Sequence, residues 1–334
     1  MPGVQEMVRS LKAAGGTDER LALLKSYAAE RDGRQTAASY DFERDATDLA
    51  VDVPGLIQDS VQVVRGNGGD PSFRFLCMAI AFNGLRRERH PRRAREVLDW
   101  VSAEFGEVPL FGHFRAMSLQ DGTVMEMRQG LELAEKAHRR LPDNAGIDHT
   151  CAVFIADLAS NEAFDDPIPE LKRGVELVTR AIDSYGKRGR FFHTRARLKR
   201  LLHDYDGARV DIAQAIDLER EGEDAPERRA QYLIERSMID ADRYFTRLAG
   251  EAEAANARLT KDTARLQSSI ESSQIQTIEV IGFITAILGL VLATMGKIRS
   301  QSPQDALTVI AGVAVLLFGM VLLGSWLLRR GMRR

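Results

Sequence analysis

The chain has 334 residues, of which 44% are hydrophobic and 28% are charged, a composition typical of globular proteins and too apolar for a largely disordered chain. Lys and Arg number 46 against 48 Asp and Glu, so the net charge of −2 provides no overall basic field that would favour nucleic acid as a partner. The charge is uneven, because residues 278–334 hold six basic residues and two acidic ones, which leaves a net charge of −6 on residues 1–277. We therefore expect a mildly acidic body and a basic tail.

The number of cysteines and the residues at the start of the sequence bear on the compartment in which the protein resides. Cys77 and Cys151 lie in apolar helical sequence, and two thiols are too few to stabilise a chain of this length through disulfides. A reducing compartment fits this cysteine usage, with a disulfide between the two as the open alternative. Residues 1–16 contain no long apolar run of the kind that a secretory signal needs, so we expect that the body is not exported. The Arg-, Ala- and Asp-rich, Lys-poor composition suggests a high-GC bacterium.

The region before residue 278 is predicted to be all-α, because it shows no strand-like alternation and many apolar residues at helical spacing. Residues 1–70 are predicted to form an N-terminal helical cap or degenerate repeats. They end in a glycine-rich loop, RGNGGDP, at residues 65–71. This loop lacks the Gly-Lys-Ser/Thr sequence of a phosphate-binding loop, so we interpret it as a linker.

Residues 71–224 are predicted to form helical repeats, and the clearest unit is GRFFHTRARLKRLLHDYDGARVDIAQAIDLER at residues 189–220. A small residue on each of two helices lets them pack closely, while larger residues fill the grooves between neighbouring pairs. The packing positions of this unit are Phe192, Ala196, Tyr205, Ala208, Ile212 and Ala215. The unit resembles a tetratricopeptide repeat, although Lys199 stands where that motif has an aromatic residue and Arg220 replaces its closing proline.

Weaker copies precede this unit. If Ala94, Gly130, Gly174 and Ala208 are equivalent, the spacings are 36, 44 and 34 residues, against a repeat period of 34. Four repeats with one insertion at residues 161–169 account for these spacings. The resemblance implies a solenoid of helical hairpins that binds a protein partner, with the first helix of each hairpin lining a concave surface.

Two blocks of basic residues lie within the repeat region. A charged block is usually a solvated helical face, but arginine also binds carboxylate and phosphate bidentately, so a concave anion site for an acidic peptide, a nucleotide or a phosphorylated ligand is the alternative. Because the second block lies on the first helix of the best repeat, the resemblance implies that Arg190, Arg195 and Lys199 bind the partner. The two blocks are Arg86, Arg87, Arg89, His90, Arg92, Arg93 and Arg95, and Lys187, Arg188, Arg190, Arg195, Arg197, Lys199 and Arg200.

Residues 225–277 are predicted to form a helical stalk, because after Pro226 they contain no proline and only one glycine, Gly250. The helix is predicted to continue as far as residue 295. Apolar residues follow a heptad broken by Asp262, which favours at most a thin coiled coil and leaves a homo-oligomer open. These residues are Leu248, Ala252, Ala255, Leu259 and Leu266.

Residues 278–328 are predicted to form a transmembrane hairpin. Two apolar runs, residues 278–295 and 306–328, are joined by the short connector GKIRSQSPQD, and about 20 apolar residues are needed to cross a bilayer. Neither run carries the row of ionisable groups typical of a transporter. Small residues recur on one face of each run and predict close helix packing, within the hairpin or between protomers: Gly282, Ala286, Gly289, Ala293, Gly312 and Gly319.

The tail, residues 329–334, predicts the orientation of this hairpin. It holds Arg329, Arg330, Arg333 and Arg334, against two basic residues in the connector, so the positive-inside rule places the tail in the cytoplasm. A hairpin returns to the side on which it starts, and the body is therefore predicted to be cytoplasmic as well. We expect a multi-pass protein of the plasma (inner) membrane with both termini in the cytoplasm.

The sequence contains no recognisable catalytic, cofactor or metal site. The histidines show no paired ligand spacing, and Asp148, His149 and Cys151 point in different directions on a helix.

The leading hypothesis is a non-enzymatic membrane-anchored adaptor that presents a cytosolic helical-repeat surface to a protein partner. The alternative is an effector whose array senses a ligand or partner and whose hairpin oligomerises to breach the membrane, an analogy with bacterial conflict systems at the level of architecture. An enzyme is the third hypothesis.

Overall fold

The computed structural model describes residues 3–30, 41–66, 69–186, 188–219 and 225–298, together with residues 311, 312, 314, 315, 318 and 319. Within these residues it contains helices and no strand, which confirms the all-α prediction. In chain order the helices are α1 (Val4–Ala13), α2 (Thr17–Glu30), α3 (Asp41–Asp52), α4 (Leu56–Arg65), α5 (Pro71–Arg87), α6 (Pro91–Trp100), α7 (Ser102–Phe105), α8 (Pro109–Met117), α9 (Val124–Arg140), α10 (Ala145–Ser160), α11 (Pro167–Tyr185), α12 (Gly189–Leu201), α13 (Tyr205–Leu218) and α14 (Ala225–Ile298).

Many of these helices begin where the sequence supplies a cap. Asp70 accepts a hydrogen bond from the backbone N–H of Phe73 at 3.0 Å, and a proline occupies the first position of α5. Thr123 and Glu126 form a reciprocal capping box at the start of α9. Asn144 caps α10 by accepting hydrogen bonds from the backbone N–H groups of Gly146 and Ile147. The local sequence therefore supplies the groups that satisfy the first backbone N–H donors of these helices.

The chain divides into two compact units, Met1–Arg247 and Leu248–Arg334. The first unit extends past the predicted division at residue 224, because the first part of α14 packs within it: Tyr232 and Ile239 are buried in one cluster with Phe192 and Ile212. In the predicted N-terminal segment, residues 1–70, the helices α1 to α4 share one hydrophobic core with α5 to α8.

Successive helices of the first unit pack against one another in the pairs α5–α6, α8–α9, α10–α11 and α12–α13. Helix α10 also contacts both α8 and α12. The unit identified at residues 189–220 corresponds to α12 and α13. Its predicted packing residues Phe192, Ala196, Ala208, Ile212 and Ala215 are buried in one cluster, and Tyr205 is half-buried against it.

Gly130 shows why a small residue is needed where two of these helices cross. A Cβ atom added at Gly130 of α9 would lie 2.6 Å from Cε1 of Phe154, whose ring is fully buried on α10. At Gly174 of α11, an added Cβ would lie 2.9 Å from Cδ2 of Leu198. A flexible leucine can shift, whereas a buried ring in a close-packed core has little room. The glycine at residue 130 therefore sets the distance between α9 and α10.

We expect the Gly130→Ala substitution to lower the free energy of unfolding by about 1–3 kcal/mol, because the new methyl group overpacks the core against Phe154. The matched control is Gly250→Ala in α14, where an added Cβ meets no described atom within 4 Å. There alanine should stabilise the helix by about 0.5–1 kcal/mol. Urea unfolding of the full chain in mild detergent, followed by far-UV circular dichroism, measures both. Equal effects of the two substitutions would contradict this packing argument.

The predicted first span lies on α14, which runs without a break to Ile298. Gly282, Ala286 and Gly289 lie on this helix, as does Ala293, whose side chain is not described. Added Cβ atoms at Gly282, Gly289, Gly312 and Gly319 meet no described atom within 4 Å. Close helix packing at these small residues therefore stays a prediction.

Among the residues that the structure describes, no helix combines the length and the apolar character needed to cross a bilayer. Most of the predicted second span, residues 306–328, lies outside the described residues. The tail arginines Arg329, Arg330, Arg333 and Arg334 lie outside them as well.

Candidate functional site

Two of the three predicted partner-binding residues contact the same buried carboxylate. Arg195 of α12 donates to Asp211 of α13 from Nη2 at 2.7 Å and from Nε at 2.9 Å, and Lys199 Nζ lies 2.8 Å from Asp211 Oδ2. The Asp211 side chain is only 2% exposed. Arg195 and Lys199 therefore neutralise the Asp211 carboxylate between α12 and α13. That they bind a protein partner stays a prediction.

Two further members of the second basic block, Arg197 and Arg200, follow the same pattern. Arg197 pairs with Asp157 of α10 at 2.7 Å. Arg200 bridges Glu235 at 2.7 Å and Asp242 at 2.8 Å, both on the first part of α14. Most of the positive charges of this block are thus paired with carboxylates of the first unit. This arrangement differs from both interpretations of the block, the solvated helical face and the anion site.

Arg190 is the member of this block that faces a cavity. The cavity has a volume of about 540 Å³ and lies within the first unit. It also receives three members of the first basic block, so the structure brings together parts of both blocks that are about a hundred residues apart in the sequence. Its charged lining residues are Arg86, Arg87, Arg89, Arg190, Arg228, Glu43, Asp121 and Glu227.

Two of the three carboxylates in this lining are engaged with protein groups. Glu43 Oε2 lies 3.0 Å from Nε2 of His113, a fully buried side chain. Glu227 accepts a hydrogen bond from Arg89 at the cavity rim, where both side chains are exposed. The lining holds five arginines and three acidic residues, and Arg228 also forms an ion pair with Glu219.

Burial of the positive charge lowers the pKa of two arginines in this lining. It lowers the pKa of Arg86, against the opposing effect of Glu43 and Asp121. It also lowers the pKa of Arg190 to about 10. Desolvation penalises the charged form of a guanidinium, and it is the largest cause of both shifts.

Sequence reasoning missed Glu43, Asn83 and Arg228 as cavity residues. They lie on α3, α5 and α14, and no spacing in the sequence relates them. The first basic block was the feature of the sequence that pointed to this cavity. Arg95, a member of that block, instead pairs with Glu126 of α9 at 2.9 Å.

The three residues weighed as a metal site have separate surroundings. Asp148 accepts from Nε of Arg180 at 2.7 Å, and Nε2 of His149 lies 3.0 Å from the hydroxyl of Thr194. Burial raises the pKa of the Cys151 thiol to about 12 and also raises that of Cys77, so both thiols are protonated at neutral pH. Within the described ranges, no group of three His, Cys, Asp or Glu side chains is arranged to hold a metal ion.

No protein-family model matches the sequence, and no curated protein matches it. A solved structure that is similar over 98% of this chain and 94% of its own is a de novo designed 16-helix transmembrane nanopore, with 14% sequence identity and a TM-score of 0.21. At this TM-score, the similarity supports no conclusion about fold or function.

Proposed function

We propose that this chain is a non-enzymatic, membrane-anchored interaction protein. Its tetratricopeptide-like helical repeats present a cytoplasmic surface to a protein partner. Residues 278–328 anchor it as a hairpin in the plasma (inner) membrane with both termini in the cytoplasm. The observation that carries the proposal is the pairwise packing of helices in the first unit, combined with the two apolar runs near the end of the sequence.

The helix pairs support the repeat part of the proposal. In a helical-repeat protein each pair contacts its neighbours and buries small residues where helices cross. Helices α8, α10 and α12, the first members of three pairs, contact one another in that order. Gly130 of α9 and Gly174 of α11, which the repeat alignment takes as equivalent, are both buried.

The second unit supports the anchor. Large apolar side chains are exposed on α14 after residue 277, with Ile278 70% exposed, Ile281 58% and Leu288 55%. No charged residue occurs between Glu279 and Lys297. Exposed apolar side chains in such numbers favour a lipid environment or another hydrophobic partner over water.

A cysteine-accessibility experiment tests the anchor and its orientation. Because Cys77 and Cys151 are buried, single cysteines can be introduced into the native background: Gln301→Cys in the connector, Gly331→Cys in the tail and Ser237→Cys on an exposed position of α14. We expect a membrane-impermeant maleimide to label the first in intact cells, and the other two only after permeabilisation. Equal labelling at all three positions, or release of the protein by alkaline carbonate, would contradict the proposal.

The second candidate function is the membrane-disrupting effector, which the exposed leucines of α14 favour. Leu259 and Leu266 are each 64% exposed and, with Leu248, follow the heptad described above, so a second copy could cover them. The two functions predict different behaviour. The adaptor should co-purify with a protein partner in a fixed ratio and leave membranes intact, whereas the effector should self-associate and permeabilise dye-loaded vesicles.

A further inference from the structure

Most of the charged residues that line the cavity of the first unit already have partners within the chain. Arg86 and Asp121 differ from them, because among the described residues neither has an ion-pair partner. The lining therefore holds one cation and one anion whose charges no protein group neutralises by direct contact. The lining residues that have partners are Glu43, Arg87, Arg89, Arg190, Glu227 and Arg228.

Arg86 of α5 supplies the cation. Its guanidinium contacts Sδ of Met117 at 3.3 Å, Oε1 of Gln120 at 3.5 Å and the ring of Phe82, all of which are uncharged groups. A guanidinium has five N–H donors in a planar fork, and it forms its strongest hydrogen bonds with a carboxylate or a phosphate. The half-buried Arg86 side chain can therefore donate further hydrogen bonds to an anionic group in the cavity.

Asn83 supplies a second, independent donor. It is 5% exposed, lines the same cavity, and its Nδ2 has no hydrogen-bond partner among the described residues. Buried amide donors are nearly always satisfied in folded proteins. Asn83 precedes Arg86 by three residues on α5, so the two side chains are neighbours on one helix face. Together they indicate that a ligand oxygen binds between them.

Asp121 restricts the kind of anion that fits. Burial lowers the pKa of Arg86, while Glu43 and Asp121 act against it, so both carboxylates lie within electrostatic range of the guanidinium. A ligand that carries only negative charge would be repelled by the exposed Asp121 side chain. A ligand that carries a cationic group beside its anionic group would be attracted by Asp121 as well as by Arg86.

The rest of the lining suits a compact ligand with an apolar part. Small-molecule sites typically measure about 300–1,000 Å³ and combine apolar walls with a few placed polar groups. At about 540 Å³ this cavity falls in that range. Pro91, Ala94 and Met117 supply apolar wall next to the charged groups.

We propose that this cavity binds a free α-amino acid with an apolar side chain. Arg86 and Asn83 bind its carboxylate, and Asp121 binds its ammonium group. An α-amino acid carries both charges on one carbon atom, which matches a lining with one unpaired cation and one unpaired anion. Within a polypeptide these two groups are consumed in peptide bonds, so the ligand is a free amino acid and not a segment of a partner protein.

This inference goes beyond the proposed function, and the two can fail separately. The anchor depends on residues of the second unit, whereas each lining residue of the cavity belongs to the first. A protein that labels with the expected membrane topology and binds no amino acid would refute only the ligand.

Isothermal titration of the full chain in mild detergent tests the site, with L-leucine, L-methionine and L-phenylalanine as probes. We expect saturable binding of at least one of them, with one amino acid per chain. Its N-acetyl derivative lacks the ammonium group and resembles the C-terminus of a protein, whereas its amide lacks the carboxylate and resembles an N-terminus. Both derivatives should bind at least about tenfold more weakly, because each loses one charged hydrogen-bonded group.

Three variants assign the two charged groups of the ligand. Arg86→Gln should weaken binding of the amino acid by at least about tenfold, and Asn83→Ala should weaken it severalfold. Asp121→Asn should also weaken binding of the amino acid, but it should leave the affinity for the N-acetyl derivative equal or higher. This change in preference distinguishes a contact with the ammonium group from a general loss of structure.

Arg93→Gln is the matched control. Arg93 belongs to the same basic block as Arg86, is exposed, and hydrogen-bonds Gln58 at 3.5 Å outside the cavity. This variant should bind the amino acid like the native protein.

Absence of saturable binding by all three amino acids at millimolar concentration would overturn the proposal. So would equal affinity for the amino acid and its N-acetyl derivative or its amide, or equal weakening by Arg93→Gln and Arg86→Gln. If Arg86→Gln fails to fold by circular dichroism, Asn83→Ala and Asp121→Asn provide the test.

Discussion

Replacing Asp211 with asparagine should lower the free energy of unfolding by about 3–5 kcal/mol, a large part of the stability of a typical domain. Asp211 is the common partner of Arg195 and Lys199, and its side chain is almost completely buried. The amide of asparagine carries no charge, so the substitution leaves two partly buried cations without a counter-charge. Removing one partner of a buried ion pair costs far more than the intact pair contributes.

Asp206→Asn is the matched control on the same helix. Asp206 pairs with Arg243 at 3.2 Å, but its side chain is 82% exposed, so water screens the pair. The substitution should cost less than about 1 kcal/mol. Urea unfolding of both variants in mild detergent measures the difference. If the two asparagine variants unfold at the same urea concentration, the Asp211 cluster does not hold α12 against α13.

Acid should destabilise the protein as the pH falls from about 6.5 toward 4. Burial lowers the pKa of His149 to about 4 and that of His193 to about 3, and the nearby Arg197 acts in the same direction on both. In the unfolded chain each histidine has a pKa of about 6.5. The unfolded state therefore binds more protons in this range, so the stabilising contribution is complete above pH 6.5 and is lost as pH falls through the folded values. Each histidine can account for up to about 3 kcal/mol by pH 4.

The substitution His193→Phe should reduce this pH dependence. The imidazole of His193 lies 4.8 Å from the Tyr232 ring, and phenylalanine keeps an aromatic ring there without a group that titrates. Urea midpoints measured between pH 7.5 and 4 compare the variant with the native protein. His90→Gln, at an exposed position, is the control and should follow the native curve. An unchanged slope in His193→Phe would contradict the assignment.

The all-α class could be predicted because it depends on local signals. Apolar residues at helical spacing act within a few residues of one another. Gly130 and Gly174 could be recognised in this way, and both are buried at helix contacts. The end of the first unit could not be predicted, because the buried faces of Tyr232 and Ile239 depend on α12 and α13 being in place.

The roles of the arginines were decided by the tertiary structure alone. In the sequence, Arg190 and Arg195 belong to one basic block and carry the same signal. The fold places an aspartate beside Arg195 and directs Arg190 into a cavity with Arg86. The spacing of charged residues in the sequence does not identify the ion-pair partner of an arginine. That partner lies on another helix and contacts the arginine only after the chain has folded. The sequence by itself thus determined that this protein is helical and where its apolar runs lie, whereas the tertiary structure decided which arginine meets which carboxylate.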